Sequence, residues 1–242
     1  MSASPLGAAE LQRRENILNS WAAPGVSVQV ADSPGGPFSI ESTVEALLAV
    51  RTMLSALAAR ASAPDAVVIG CFGDPGLAAV REVMECPVIG PLESSFHLAA
   101  QLGQRVGILS VLDSLEPLMT SLVRSMGQSE SYAGFASVNT PVLELKKEPE
   151  RTVGKAVEVG RRLVQEKGAD VIVLGCMSMS FLDLAGPISA EIGVPVVNPA
   201  RCALKTAETW LALGVTHSRR AYPRPRKELR GLVTAATLAA SD

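Results

Sequence analysis

Short apolar runs rich in β-branched residues alternate along this chain with longer stretches whose apolar positions recur every three or four residues. Runs of the first kind mark strands buried on both faces, and stretches of the second kind mark the helices that cover them. The pattern predicts strands at Val26–Ala31, Ala66–Gly70, Val88–Gly90, Arg105–Ser110, Asp170–Gly175 and Val194–Asn198. Helices are expected at Ala8–Leu18, Ile40–Ala61, Pro75–Glu85, Glu93–Leu102, Ser114–Met126, Glu150–Lys167, Phe181–Ile192 and Pro199–Leu213. In the second of these, Leu47, Leu54, Leu57 and Ala61 recur at helical spacing and are expected to form its inner stripe. Such alternation belongs to the α/β class, with parallel sheets covered by helices.

An internal repeat refines that picture. Asp65-Ala-Val-Val-Ile-Gly-Cys71 matches Asp170-Val-Ile-Val-Leu-Gly-Cys176, with the same step from Asp to Cys. Each cysteine is followed by a helix and then a proline-led strand, Pro87-Val88-Ile89 in one copy and Pro195-Val196-Val197 in the other. The repeat predicts two pseudo-symmetric lobes, each a parallel sheet covered by helices, with a cleft between them. The first lobe is expected over residues 1–103, with 200–242 packing back onto it, and the second over 104–199.

Each repeat also sets a thiol just beyond the carboxyl end of a strand, the edge of an open α/β sheet where ligands bind. An ordinary thiol, with a pKa of about 8.5, needs a modest downward shift to act as a base at neutral pH. Backbone N–H groups at the following helix starts could supply part of it and could also receive an anionic oxygen. Two acid/base groups acting on one carbon suit racemisation: one thiolate removes a proton from one face and the other thiol returns one to the opposite face. Gly70 and Gly175 would let the backbone approach a small ligand, or would serve strand-end packing.

Composition removes several other classes. The 242 residues carry a formal charge of −2, so no general electrostatic field favours nucleic acid or an anionic membrane. Hydrophobic residues make up 48% but aromatics only 4%, which implies an aliphatic core rather than disorder. Cys71, Cys86, Cys176 and Cys202 are too dispersed for a disulfide scaffold, and without a CxxC pair or a nearby histidine a structural zinc site is not expected. Residues 1–14 lack the apolar core of a signal peptide, and no apolar run reaches a membrane span. A cytoplasmic location is expected. Nucleotide motifs are absent, so no cofactor is expected.

Around both cysteines the sequence resembles a known group. Cys71-Phe72-Gly73-Asp74-Pro75-Gly76-Leu77, with Pro87-Val88-Ile89-Gly90 after it, is similar to the first-cysteine region of hydantoin racemases, within the aspartate/glutamate/hydantoin racemase superfamily. Gly35-Gly36-Pro37-Phe38-Ser39-Ile40-Glu41, Leu174-Gly175-Cys176 with Met179, and Leu213-Gly214 through Arg220 fit the same group. The resemblance implies a two-lobed α/β fold and cofactor-independent racemisation of a small carbon acid, such as a 5-substituted hydantoin. Cys71 and Cys176 would be the two acid/base groups, and Ser39, Phe72, Gly73, Ser110, Met177 and Ser178 would line the substrate. A homo-oligomer acting on a small molecule, without nucleic acid or membrane, completes the expectation. Two departures stand out. Residues 1–20 read neither as the family's opening strand nor as its Asn-Pro-Asn-Thr-like loop, and Met177-Ser178 stands where hydantoin racemases commonly have Ala-Gly.

Alternatives within the superfamily are arylmalonate decarboxylation and maleate-type isomerisation. From another class, the chain could be a non-catalytic two-lobed protein that binds a small ligand. Among the remaining candidates, Cys86 and Cys202 read as packing residues, His97 as a surface or core histidine, and Asp65 and Asp170 as turn residues. Ser39 is a candidate cap for the helix at Ile40, and Ser114 for the helix it opens. The basic segment from Val215, with Arg219, Arg220, Arg224, Arg226, Lys227 and Arg230, reads as a tail packed on the body rather than a nucleic-acid patch.

Overall fold

A computed structural model of the chain describes residues 1–60 and 62–226. Ala61, Lys227 and Arg230, which figured in the helix and tail expectations, lie outside the described residues. The chain divides into two compact units, one of Met1–Gly90 with the described residues from Ala203 onward, the other of Pro91–Cys202.

The first unit opens with α1 (Ala8–Trp21) and α2 (Thr43–Ala58), followed by β1 (Val67–Val68), α3 (Leu77–Val83) and β2 (Val88–Ile89). β1 and β2 pair in parallel, Val67 opposite Val88 and Val68 opposite Ile89. On the other side of β1, Ser2 forms a parallel bridge with Gly70, whose N–H donates to Met1 O at 2.6 Å, while the Met1 amine donates to Val68 O at 2.9 Å. Burial of that amine holds its pKa down to about 6. Val26–Ala31, expected to be a strand, is not one. Its backbone is held by side chains of α1 instead: Asn19 Oδ1 accepts from Val28 N–H at 2.9 Å, and Glu15 Oε2 from Val30 N–H at 2.8 Å. Ala31 O accepts from Ser2 N–H, so the opening residues, and not 26–31, line this edge of the sheet.

The inner face of α2 also differs from expectation. Ala49, Met53, Ser55 and Leu57 are buried, whereas Leu47 is 67% exposed. Ala49, Met53 and Leu57 are spaced by four residues, so they form one ridge, and Leu47 falls off it. Met53 and Leu57 pack with Ile69 and Val80, and Leu54 lies against the same cluster. Ser42, not Ser39, caps α2: its hydroxyl accepts from Glu45 N–H at 3.3 Å, and Glu45 Oε2 accepts from the Ser42 hydroxyl at 2.9 Å and from Glu41 N–H at 2.7 Å.

In the second unit, α4 (Pro91–Leu102) leads to β3 (Val106–Ser110), a 3-10 turn at Asp113–Leu115, α5 (Glu116–Ser125), β4 (Tyr132–Ser137), a second turn at Val142–Glu144 and α6 (Pro149–Lys167). Then come β5 (Val171–Leu174), α7 (Met177–Ser180), α8 (Ala185–Ile192), β6 (Val196–Val197) and α9 (Pro199–Leu213). All four strands are parallel, in the order β4-β3-β5-β6. Every residue of β3 and β5 is buried, as befits strands covered on both faces. β4 was not anticipated from the sequence; it lies at the sheet edge and only Phe135 and Ser137 of it are buried. Asp170 is a turn residue as expected, its carboxylate accepting from the N–H groups of Gln104 and Arg105.

α9 begins in the second unit and ends in the first, where Ala203, Ala207 and Trp210 pack with Ile89, Ala66 and Val68. The strap that follows lies on α3. The Arg219 guanidinium donates to the carbonyls of Arg81 (2.9 Å), Glu82 (3.1 Å) and Met84, and so satisfies the end of α3. His217 is buried beside Tyr222, ring to ring at 5.8 Å, and its Nε2 lacks a hydrogen-bond partner among the described residues. Burial first, and the nearby Arg219 charge second, push the His217 pKa below its ordinary value, with the carbonyls of Arg81 and Met84 opposing in part.

Candidate functional site

The functional candidates fall into two sets, one in each unit. In the first, Cys71 follows the Gly70 bridge and opens a tight turn in which Asp74 N–H donates to Cys71 O at 3.2 Å and Leu77 N–H donates to Asp74 O at 3.1 Å. Cys71 and Gly73 are half-buried, while Phe72 is buried. Ser39 is half-buried in the bend before α2. Asp74 sits at φ 50°, left-handed backbone that a non-glycine residue adopts only when its surroundings enforce it. Its carboxylate lies over Gly90, where an added Cβ would come within 2.5 Å of Asp74 Cγ. The sequence pattern did not single out Asp74 and Gly90 as a pair. The signal was the Asp-Pro-Gly run after Cys71 together with the glycine that closes β2.

In the second unit, β3 is followed by a connection to β4 on one side and β5 by a connection to β6 on the other. The two strands are neighbours, so their carboxyl ends form the switch point of this sheet, the position at which open α/β sheets bind ligands. Ser110 ends β3, and Gly175 and Cys176 follow β5. The candidates Ser110, Cys176, Met177 and Ser178 therefore gather at one place. Cys176 is buried and occupies the N-cap position of α7; its extended backbone (φ −154°, ψ 131°) gives way directly to helix at Met177. Met177–Ser180 thus forms a helical turn ahead of Phe181, where the pattern placed a helix start, and the longer helix α8 begins only at Ala185. Met177 is buried and Ser178 half-buried. Asn198 secures this turn from beyond β6, donating through Nδ2 to Ser180 O at 3.1 Å and accepting at Oδ1 from Arg201 N–H at 3.1 Å.

Gly175 is clasped tightly. Its N–H donates to Leu109 O at 2.6 Å, and its carbonyl accepts from the Ser110 hydroxyl at 3.0 Å. A Cβ placed on Gly175 would meet Ser110 Cβ at 2.6 Å, Ser110 Oγ at 2.8 Å and Ile108 Cγ2 at 2.8 Å. Glycine is required here because β3 fills the space a side chain would take, not because of positive φ.

The other two cysteines follow no matched strand end. Cys86 lies half-buried before β2, with its thiol pKa raised chiefly by burial, and Cys202 is buried on α9. His97 is exposed. No group of three His, Cys, Asp or Glu side chains among the described residues could hold a metal ion, and no described helix is long and apolar enough to cross a membrane.

Comparison with known proteins bears directly on this arrangement. A hydantoin racemase from Pseudomonas sp. (strain NS671) is 35% identical over 216 residues, covering 88% of this chain and 86% of that protein. The solved allantoin racemase from Klebsiella pneumoniae matches with a TM-score of 0.87 at 29% identity over 96% of each chain. That from Pseudomonas fluorescens also has a TM-score of 0.87, at 27% identity over 94% of this chain and 96% of its own. The family model described as Asp/Glu/Hydantoin racemase matches residues 7–207. With the model spanning well over half of its length, this chain belongs to the Asp/Glu/hydantoin racemase family.

Proposed function

We propose that this racemase-family isomerase inverts C5 of a 5-substituted hydantoin, allantoin included, with Cys71 and Cys176 as its two acid/base groups. Allantoin carries the hydantoin ring, so the hydantoin and allantoin racemases similar to this chain share one reacting centre. The observation that carries the proposal is the matched placement of the cysteines. In each unit a parallel strand is followed by glycine and then cysteine, directly after β5 and with Ile69 intervening after β1, and a tight turn or helical turn follows.

The chemistry closes with these two thiols alone. The Cys71 thiolate takes the C5 proton, forming S–H as the C–H bond breaks, and the electron pair moves onto the neighbouring carbonyl as an enolate. The Cys176 thiol then protonates C5 on the opposite face and is left as thiolate. No atom is lost, and the enzyme ends with its proton on the other sulfur, ready for the reverse direction. Backbone N–H groups beside each cysteine would serve the enolate oxygen. Of the residues expected to line the substrate, we keep Ser39, Phe72, Gly73, Met177 and Ser178 in that role, while Ser110, fully buried with its hydroxyl on the Gly175 carbonyl, is given a different one below. Met177-Ser178 brings more bulk than Ala-Gly would, and so selects among C5 substituents. We place the enzyme in the cytoplasm as a homo-oligomer that binds neither nucleic acid nor membrane.

A polarimetric panel of chiral hydantoins, (S)-allantoin, amino acids and arylmalonates tests the assignment. The expected result is decay of optical rotation for hydantoins or allantoin with no change in mass. Release of carbon dioxide from an arylmalonate, or inertness toward every carbon acid in the panel, would overturn it.

A further inference from the structure

We propose that Ser110 is a positioning residue for the Cys176 half of the reaction, acting through the Gly175 carbonyl; this rests on the two-cysteine mechanism above. The paired rungs between β3 and β5 end at Leu109 and Leu174. One step further, Gly175 N–H still reaches Leu109 O at 2.6 Å, but its carbonyl is taken by the Ser110 side chain at 3.0 Å. A hydroxyl therefore continues the ladder where the sheet stops.

The carbonyl concerned belongs to the peptide that joins Gly175 to Cys176. Fixing its direction fixes the plane of that peptide, and with it the start of the Cα–Cβ vector that aims the Cys176 sulfur. Steric contact works with the hydrogen bond, since Ser110 Cβ and Oγ occupy the space over Gly175. Ser110 itself is held: its side chain is fully buried, and its carbonyl accepts from Val138 N–H at 3.0 Å. A fully buried hydroxyl is unfavourable unless bonded, and the bond Ser110 makes is to the Gly175 carbonyl. An alanine there would serve the core as well, so the hydroxyl marks a demand set by the Gly175 carbonyl. That demand sits at the switch point of the sheet, next to the proposed acid/base group.

The test is exchange of the C5 proton with deuterium oxide, followed separately for each enantiomer of 5-benzylhydantoin. Cys176→Ser is expected to abolish exchange from one enantiomer and so identifies the one that Cys176 deprotonates. Ser110→Ala should then slow exchange from that enantiomer at least tenfold with KM changed less than about threefold, and leave exchange from the other within about twofold. Ser110→Thr, which keeps the hydroxyl, should recover most of the loss. Ile108→Val, which loosens the same packing without touching the hydrogen bond, should slow neither enantiomer selectively. Equal slowing of both enantiomers by Ser110→Ala, or no slowing, would overturn the proposal and leave the two-cysteine mechanism standing. Loss of neither exchange in Cys176→Ser would remove the mechanism itself, and the role of Ser110 with it.

Discussion

Replacing Gly175 by alanine offers a quantitative probe of the clasp beside Cys176. The new methyl would lie 2.6 Å from Ser110 Cβ and 2.8 Å from Ile108 Cγ2, well inside van der Waals contact. Both neighbours sit on β3, a fully buried central strand, so neither can swing aside as a surface side chain could. Overpacking of this kind costs about 1–3 kcal/mol. For a chain of this size, each kcal/mol lowers Tm by about 2–4 °C, giving an expected fall of about 2–12 °C by calorimetry. The same strain displaces the peptide that carries Cys176, the proposed acid/base group, and a displacement of about 1 Å at such a group can cost about a hundredfold in rate. Two of the three close atoms belong to Ser110. Ser110→Gly in the same chain should therefore restore part of the Tm lost to Gly175→Ala, with a coupling of about 0.5 kcal/mol or more. A Gly175→Ala protein with unchanged Tm and kcat, or a double variant whose losses simply add, would refute the clasp.

Gly154, in the middle of α6 with nothing within 4 Å of an added Cβ, gives the opposite sign: Gly154→Ala should stabilise by about 0.5–1 kcal/mol in chemical denaturation. His217 is held neutral by its surroundings, so its folded pKa lies below the unfolded one. Its stability contribution is complete above about pH 6.5 and is lost as pH falls toward the folded value. His217→Phe should therefore flatten stability against pH between about 8 and 5 relative to wild type, a difference from which the Met1 amine cancels. Cys86→Ser and Cys202→Ala should racemise within about twofold of wild type in the polarimetric assay, since neither thiol belongs to the two proposed site sets.

The central strands of the second unit were legible because β5 is apolar throughout and β3 is apolar up to Ser110, and strands buried on both faces read that way. β4 escaped because Tyr132–Ser137 is an edge strand of small, half-exposed residues with no apolar run to announce it. Val26–Ala31 misled for the complementary reason. Its alternating Val-Ser-Val-Gln-Val pattern is that of a strand, but the hydrogen bonds it needs come from Asn19 and Glu15 and not from a neighbouring strand. The sheet edge held by Met1 and Ser2 is set by tertiary pairing with Gly70, which no local pattern encodes. Within the candidate site, the Asp-to-Cys repeat brought out both cysteines. The link from the Ser110 hydroxyl to Gly175 spans 65 residues and depends on β3 lying beside β5, so it needed the fold.

Cys71→Ser and Cys176→Ser, each incubated with both enantiomers of a 5-substituted hydantoin in deuterium oxide, test the central claim most directly. Circular dichroism should first show both variants folded. The two-cysteine mechanism predicts that racemisation collapses by orders of magnitude in each variant. Exchange at C5 should survive for one enantiomer in Cys71→Ser and for the other in Cys176→Ser. Near-wild-type racemisation by either folded variant, or survival of exchange for the same enantiomer in both, would contradict it.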